Sequence, residues 1–144
     1  MYEFTWTPNE VAFFFDGKHL ESYYKGHPGV DNQTKHQNIE LNLWAPRSDA
    51  HTEDWSAGRD DTTMPWYVKC DYVEYSSWDS SSDTFSFEWR EDFDVLDLGK
   101  WKISNDEDGF NENLSTYKNS QAFIEDGQLV LKNEAYSPWA VFLN

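Results

Sequence analysis

The chain has 144 residues, enough for one ordinary domain that buries about two-thirds of its unfolded surface. Its 27 acidic and 11 basic residues give a net charge of −16. This charge argues against nucleic acid and membrane partners, because phosphates and anionic lipids are bound by clustered Lys and Arg. Aromatic residues make up 18% of the chain, whereas disordered acidic chains are poor in them, so we expect a folded protein. Cys70 is the single cysteine, which excludes an intrachain disulfide.

The N-terminal segment has the pattern of antiparallel β-structure. Residues 2–6 alternate aromatic with polar side chains, and residues 11–15 form a second β-prone run. Asp16 and Gly17 separate this run from residues 18–24, and Asp-Gly between two such runs is a strong hairpin signal. The sequence therefore predicts strands here, followed by a loop.

Residues 37–44 form the clearest alternating segment. We expect a strand with Ile39 and Leu41 on a core face, and with Asn42 and Trp44 on the opposite face. The opposite face combines amides, a carboxylate and an indole, which is unusual for a simple solvent face. A long polar loop, residues 45–64, is predicted to follow, and loops of this length are often functional or disordered.

The remaining chain also predicts short strands and turns. Residues 65–75 alternate as one strand, and the serine-rich residues 77–84 have the composition of a linker. Further strands are expected at residues 85–93, 101–103, 121–125 and 128–132, the last two joined by a second Asp-Gly turn. No segment has helical periodicity. The sequence therefore predicts an all-β, antiparallel β-sandwich.

Among chemistry-bearing patterns, the face of Asn42 and Trp44 is the most informative. Amides bond to sugar hydroxyls, and a flat indole covers the apolar face of a pyranose ring. Trp55, in the next loop, offers a second platform. The simpler alternative is that Trp44 packs at a strand end. The four histidines lack metal-ligand spacing, and the sequence has no glycine-rich phosphate loop.

Short motifs in residues 1–76 form an ordered set. They are Tyr2-x-x-x-Trp6-Thr7-Pro8, Phe15-Asp16-Gly17, Asn42-Leu43-Trp44, Asp54-Trp55 and Asp71-Tyr72-Val73-x-Tyr75. A second set occupies residues 85–144: Phe87-x-x-x-Glu91-Asp92-Phe93-Asp94, Trp101, Asp108-Gly109-Phe110 and Asp126-Gly127-Gln128-Leu129-Val130-Leu131. The first set resembles the C-terminal half of glycoside hydrolase family 16, in particular the bacterial endo-β-1,3-1,4-glucanases (lichenases). The second set resembles the N-terminal start of the same domain.

This order, with the C-terminal half before residues 77–84 and the N-terminal start after them, is that of a circular permutant. Permutation is tolerated where chain termini lie close together at a surface. The alternative is the end of one domain followed by the beginning of a tandem copy. The resemblance covers most of the chain, although each motif alone is weak.

The resemblance implies a jelly-roll, concanavalin-like sandwich, here incomplete, that binds β-glucan polysaccharide in a concave cleft. It implies substrate-binding roles for five residues, with Asn113 as an alternative to the last: Asn42, Trp44, Trp55, Phe110 and Asn111. It also implies an extracellular enzyme that is monomeric once complete. The N-terminal residues lack the basic and apolar regions of a signal peptide, so we expect none in this chain.

The resemblance further implies a structural calcium ion. Asp71 would supply a side-chain oxygen, and backbone carbonyls near Asp92 and Gly127 would complete the ligands, since calcium prefers hard oxygen donors. The alternative is that Asp71 is a solvated strand residue and Gly127 only a turn residue.

The family's catalytic centre is missing from the sequence. Retaining family members use a Glu-x-Asp-x-Glu strand, in which one Glu is the nucleophile and the other the acid/base. No Glu in this chain is followed two positions later by Asp. We therefore expect a portion of a β-glucanase that has sugar-binding residues and no hydrolytic activity. The alternatives are a non-catalytic β-glucan-binding sandwich and an unrelated acidic β-sandwich interaction module.

Overall fold

The computed structural model describes residues 1–44, 60–105 and 117–134. The described strands are β1 (Tyr2–Trp6), β2 (Glu10–Phe15), β3 (Lys18–Tyr24), β4 (Trp66–Cys70), β5 (Val73–Asp79), β6 (Thr84–Glu91), β7 (Ala122–Glu125) and β8 (Gln128–Asn133). Within those ranges, helix is confined to α1 (Pro28–Asp31) and to 3-10 turns at Asp61–Thr63 and Asn119–Gln121. The expected all-β class is confirmed. In the same ranges, no helix is long and apolar enough to cross a membrane.

The first sheet has the strand order β1-β2-β3, and both of its pairings are antiparallel. The turn between β2 and β3 consists of Asp16 and Gly17, with φ angles of 50° and 72°. Positive φ at both central residues is what a tight two-residue hairpin requires, and Asp-Gly adopts it readily. The predicted N-terminal hairpin is therefore confirmed. A bulge at the register shift between Phe13 and Phe14 leaves Leu20 of β3 without a direct partner.

The second sheet has the order β4-β8-β7, also antiparallel. Asp126 and Gly127 form its hairpin turn with φ angles of 54° and 73°, which confirms the second Asp-Gly prediction. β8 is the central strand, and its Leu129 and Val130 are 4% and 0% exposed. Because consecutive strand residues point to opposite faces, both faces of this sheet are covered at its centre.

Two strand predictions are wrong. Residues 37–44 and Trp101–Ile103 have no regular secondary structure. Alternation alone does not make a strand, because the backbone groups also need a neighbouring strand to bond. In residues 41–44 the burial still alternates, with half-buried leucines and exposed Asn42 and Trp44. Ile39, expected in the core, is instead 43% exposed.

The single strand expected over residues 65–75 is interrupted. β4 ends at Cys70 and β5 begins at Val73, so Asp71 and Tyr72 lie between two strands of different sheets. The Cys70 thiol donates a hydrogen bond to the Tyr72 carbonyl, with 3.4 Å between sulfur and oxygen. This local contact lies where the chain passes from β4 to β5, so Asp71 belongs to neither strand.

The serine-rich segment, residues 77–84, is not an irregular linker in the structure. It includes the end of β5, a turn and the first residue of β6, which pair as a two-stranded sheet. The Asp79 carboxylate accepts hydrogen bonds from the Ser81 amide at 2.9 Å and from the Ser81 and Ser82 hydroxyls at 2.7 Å each. Short polar side chains that bond to a nearby backbone favour turns, which is why this composition ends a strand here.

These hydrogen bonds make the turn's contribution to stability depend on pH. Hydrogen bonds from Ser82, which have the larger effect, and from Ser81 hold the pKa of Asp79 at about 2, below its usual 3.8. The folded-state pKa is the lower one, so the turn's contribution to stability is complete above pH 3.8 and is lost as the pH falls through about 2. We expect Ser82→Ala to move the pKa of Asp79 upward toward 3.8 in an NMR titration. Ser80→Ala is the matched control, and an equal shift in both variants would contradict this assignment.

The apolar core is small for the amount of apolar sequence. Among the described residues, the buried apolar side chains are Ala12, Val30, Phe93, Leu129 and Val130. Many large apolar side chains stay exposed, including Tyr2 at 87% and Phe87 at 62%. The chain forms two compact units, Met1–Glu40 with Tyr75–Trp89, and Leu41–Glu74 with Arg90–Asn144.

Phe93 anchors the segment that follows β6. Its ring is fully buried and lies 5.6 Å from the Trp101 ring, centroid to centroid. The Glu91 carboxylate accepts hydrogen bonds from the Phe93 amide at 3.3 Å and the Trp101 indole at 3.4 Å, and it pairs with Lys100 at 3.3 Å. Phe93 has a φ of 55°, a conformation that costs a non-glycine residue about 1 kcal/mol or more. These contacts hold it there.

Candidate functional site

Asn42 and Trp44 are the sequence-predicted sugar-binding residues within the described ranges. Both are exposed, with 37% of the Trp44 surface accessible, while Leu41 and Leu43 between and beside them are half-buried. The half-buried leucines alternate with the amide and the indole, whose side chains are exposed. An exposed indole beside an amide has the chemistry for stacking on a sugar ring and bonding its hydroxyls.

The other predicted substrate-binding residues lie outside the described residues. These are Trp55, Phe110, Asn111 and the alternative Asn113. Their roles stay predictions.

A second aromatic surface, which the sequence analysis did not identify as a candidate site, covers one face of the first sheet. The rings of Tyr2 and Phe15 lie 4.9 Å apart, and those of Phe4 and Phe13 lie 6.3 Å apart. Tyr23 continues the row at 6.4 Å from Phe13. The signal was present in the aromatic residues at the alternate positions 2, 4 and 6, and at positions 13 and 15, which share one face once the strands pair in register.

The predicted metal ligands Asp71 and Gly127 come close together in the structure. The Gln128 side-chain amide donates a hydrogen bond to the Asp71 carboxylate, and Gln128 directly follows Gly127 in the hairpin turn. The bond joins residues 57 positions apart in the chain. The residue that follows Gly127 therefore lies beside Asp71 at this corner of the second sheet.

Asp92, the third predicted ligand, has its carboxylate engaged by Arg90. The Arg90 Nε atom lies 2.6 Å from an Asp92 oxygen, and its guanidinium lies 3.7 Å from the centre of the Tyr72 ring. The hydrogen bond to Asp92 raises the pKa of Arg90 above its already high value. Glu74 lies 3.7 Å from the same guanidinium. Arg90 thus links the chain next to Asp71 with the chain at Asp92.

A hard cation held largely by backbone oxygens is what the resemblance implies at this corner. Among the described residues, no group of three or more His, Cys, Asp or Glu side chains is placed to hold a metal. Asp71 would be the one side-chain ligand, with carbonyls near Asp92 and Gly127, since the Asp92 carboxylate already bonds Arg90. Calcium accepts such mixed carboxylate and carbonyl sets.

Cys70, the single cysteine, is not an activated nucleophile. Burial raises the pKa of the Cys70 thiol, which keeps it protonated at neutral pH. Glu88, on β6, accepts a hydrogen bond from Ser77. An open cavity of 290 Å³ is lined in part by Met64, Pro65 and the ion-paired Lys132 and Glu134. Its volume lies at the lower limit of ligand sites, and an ion pair is a poor platform for a sugar ring.

No protein-family model matches this chain, and no curated protein matches it.

Proposed function

We propose that this chain is the glucan-binding portion of a secreted family 16 endo-β-glucanase, which recognises β-1,3-1,4-glucan without hydrolysing it. The sandwich is a jelly-roll, and Asn42 and Trp44 lie in its sugar cleft. The observation that carries the proposal is the exposed indole of Trp44 near the exposed amide of Asn42, in a segment where they alternate with half-buried leucines. Exposed aromatic rings with adjacent amides are the groups that bind neutral sugars.

The charge of the chain supports a neutral ligand. A net charge of −16 repels acidic polysaccharides and phosphates, whereas a neutral glucan is indifferent to it. Stacking and hydrogen bonding to hydroxyls require neither Lys nor Arg. A β-glucan therefore suits both the composition and the exposed aromatic chemistry of this protein.

The missing carboxylate strand limits the proposal to binding. A retaining glycosidase needs two carboxyl groups about 5 Å apart, one as nucleophile and one as acid/base. The sequence lacks the Glu-x-Asp-x-Glu pattern that supplies them in the family. We therefore expect no release of reducing sugar from β-glucan by this chain alone.

Affinity electrophoresis of the whole chain in gels with barley β-glucan tests the proposal. We expect retarded migration relative to gels without polysaccharide, together with no reducing ends after prolonged incubation. Unchanged migration would overturn the carbohydrate proposal and favour an unrelated interaction module. Retardation together with hydrolysis would overturn the assignment as a binding portion. The genomic sequence upstream of Met1 then separates the enzyme portion from an independent binding protein, through presence or absence of an in-frame Glu-x-Asp-x-Glu.

We further propose that a structural calcium ion binds at Asp71, with backbone carbonyls near Asp92 and Gly127. Bound calcium would supply stability rather than chemistry. Saturating calcium at about 100 times its dissociation constant stabilises by about 2.7 kcal/mol, or about 5–10 °C in melting temperature at this size. We expect this difference between calcium and EDTA in thermal unfolding.

Two variants separate calcium binding from a general effect on folding. Asp71→Asn is expected to abolish the calcium-dependent rise in melting temperature. Asp92→Asn breaks the bond to Arg90 but keeps the backbone carbonyl, so it is expected to lower stability and retain the calcium response. Equal melting of the unaltered chain with calcium and with EDTA would refute the calcium site.

A further inference from the structure

The outer edge of β1 has a definite pattern of unpaired backbone groups. The Asp16 amide bonds the Met1 carbonyl and the Thr7 amide bonds the Glu10 carbonyl, each at 2.8 Å. The register between these bonds has no shift, so the odd-numbered residues of β1 bond to β2. The amide and carbonyl groups of Tyr2, Phe4 and Trp6 therefore point to the outer edge. In the described part of the chain, no backbone group pairs with that edge.

β1 has little of the protection that edge strands usually have. Natural sheets discourage edge pairing with charges, proline or bulges. The other edge of the first sheet, β3, has Lys18, Glu21 and the bulge at Leu20. Among the edges of the second sheet, β4 has Lys69, which pairs with Glu125 on β7 at 3.0 Å. β1 has a single charge, Glu3, and no bulge.

We propose that β1 pairs antiparallel with β1 of a second copy of this chain, about a two-fold axis at Phe4. In this register Phe4 lies opposite the partner's Phe4, and Tyr2 lies opposite the partner's Trp6. Every outward amide of one strand then meets an outward carbonyl of the other. The interface is isologous, as closed homodimers require, and it joins the two first sheets into one continuous sheet.

Several registers place the outward amides of one β1 strand opposite the outward carbonyls of the other. Charge favours the Phe4 register among them. Centring the pair on Phe4 places Glu3 opposite the partner's Thr5. Centring it on Glu3 would place two carboxylates directly opposite each other, which is destabilising. Centring it on Thr5 would leave the backbone of Tyr2 unpaired. The Phe4 register is thus the one that satisfies the whole edge without like-charge contact.

The side chains on this edge are available for the contact. Tyr2 and Phe4 are 87% and 65% exposed, and their rings already stack against Phe15 and Phe13 within the sheet. Pairing would add aromatic contacts across the two-fold axis. The contact is small, and each copy has a charge of −16, so we expect a weak dimer that strengthens as salt screens the repulsion.

Sedimentation equilibrium and amide hydrogen exchange on the whole chain test this proposal. We expect the mass to rise from 17.0 kDa toward twice that value with protein concentration, and further at 0.5 M NaCl than at low salt. The amides of Tyr2, Phe4 and Trp6 should gain protection with concentration, while those of Glu3 and Thr5 are protected throughout. A monomer at all concentrations with unprotected outward amides would overturn the proposal.

A charge-swap pair separates this contact from nonspecific association. Phe4→Lys and Phe4→Glu place like charges at the two-fold axis, so each variant alone should be monomeric. Mixed in equal amounts, they should dimerise again. Tyr24→Lys, at an equally exposed aromatic residue on β3, is the matched control and should dimerise like the unaltered chain. Circular dichroism confirms folding, and a mixture that stays monomeric, or a Tyr24 variant that also fails to dimerise, would refute the assigned edge.

Discussion

Replacing Phe93 by alanine is expected to lower the free energy of unfolding by about 3–5 kcal/mol, the largest effect of any single substitution considered. Phe93 is fully buried, and its ring packs against Trp101. Alanine removes the ring's transfer free energy and leaves a cavity that the surrounding chain fills only in part. The hydrogen bonds of Glu91 to Phe93 and Trp101 would also lose the packing that aligns them.

Urea unfolding followed by tryptophan fluorescence measures this effect. Phe87→Ala is the matched control, because Phe87 is 62% exposed and its loss should change stability by no more than about 0.5 kcal/mol. Phe93→Leu should lose less stability than Phe93→Ala, since leucine keeps much of the buried volume. Equal destabilisation at Phe93 and Phe87 would show that the core does not lie where the structure has it.

Replacing Trp44 by alanine is expected to weaken binding to barley β-glucan by about 5- to 30-fold, or about 1–2 kcal/mol. The indole is flat and 37% exposed, so its loss removes apolar contact with a sugar ring. Asn42→Ala should weaken binding less, because it removes one hydrogen-bonding group and little contact area.

Trp89 provides the matched control for this prediction. It is 41% exposed on β6, outside the predicted cleft residues, and its ring lies 5.9 Å from Tyr75. Affinity electrophoresis should therefore show glucan retardation of Trp89→Ala equal to that of the unaltered chain. If Trp89→Ala lost retardation and Trp44→Ala kept it, the sugar site would lie on the β5–β6 hairpin rather than at Trp44.

Local sequence signals predicted most of the strands and both tight hairpins. At Asp16-Gly17 and Asp126-Gly127 the turn depends on residues that adopt positive φ easily, so the prediction needs no distant contact. Alternation predicted β1, and the β-prone runs on either side of Asp16-Gly17 predicted β2 and β3, which pair with neighbours close in sequence. The prediction was wrong at residues 37–44, where the same alternation lacks a pairing strand among the described residues.

The candidate site was predictable in its residue types and only in part in its geometry. The exposure of Asn42 and Trp44 followed from a polar-apolar alternation that survives without a strand. The contact of Asp71 with Gln128, the residue after the turn, depends on the pairing of β4 with β8, which are far apart in the chain. The bond between Arg90 and Asp92 was not predicted, because a sequence does not show which carboxylate an arginine side chain will contact.

The sequence by itself determined the all-β class, the turns, the acidic charge and the lack of a catalytic Glu-x-Asp-x-Glu strand, because each depends on residue identity and near neighbours. Only the tertiary structure decided which alternating segments became strands, which phenylalanine was buried, and which strands lie at sheet edges. Those outcomes depend on which distant segments supply hydrogen-bond partners and cover apolar surface. Phe87 and Phe93 show this: they lie six positions apart, and packing alone leaves one 62% exposed and the other fully buried.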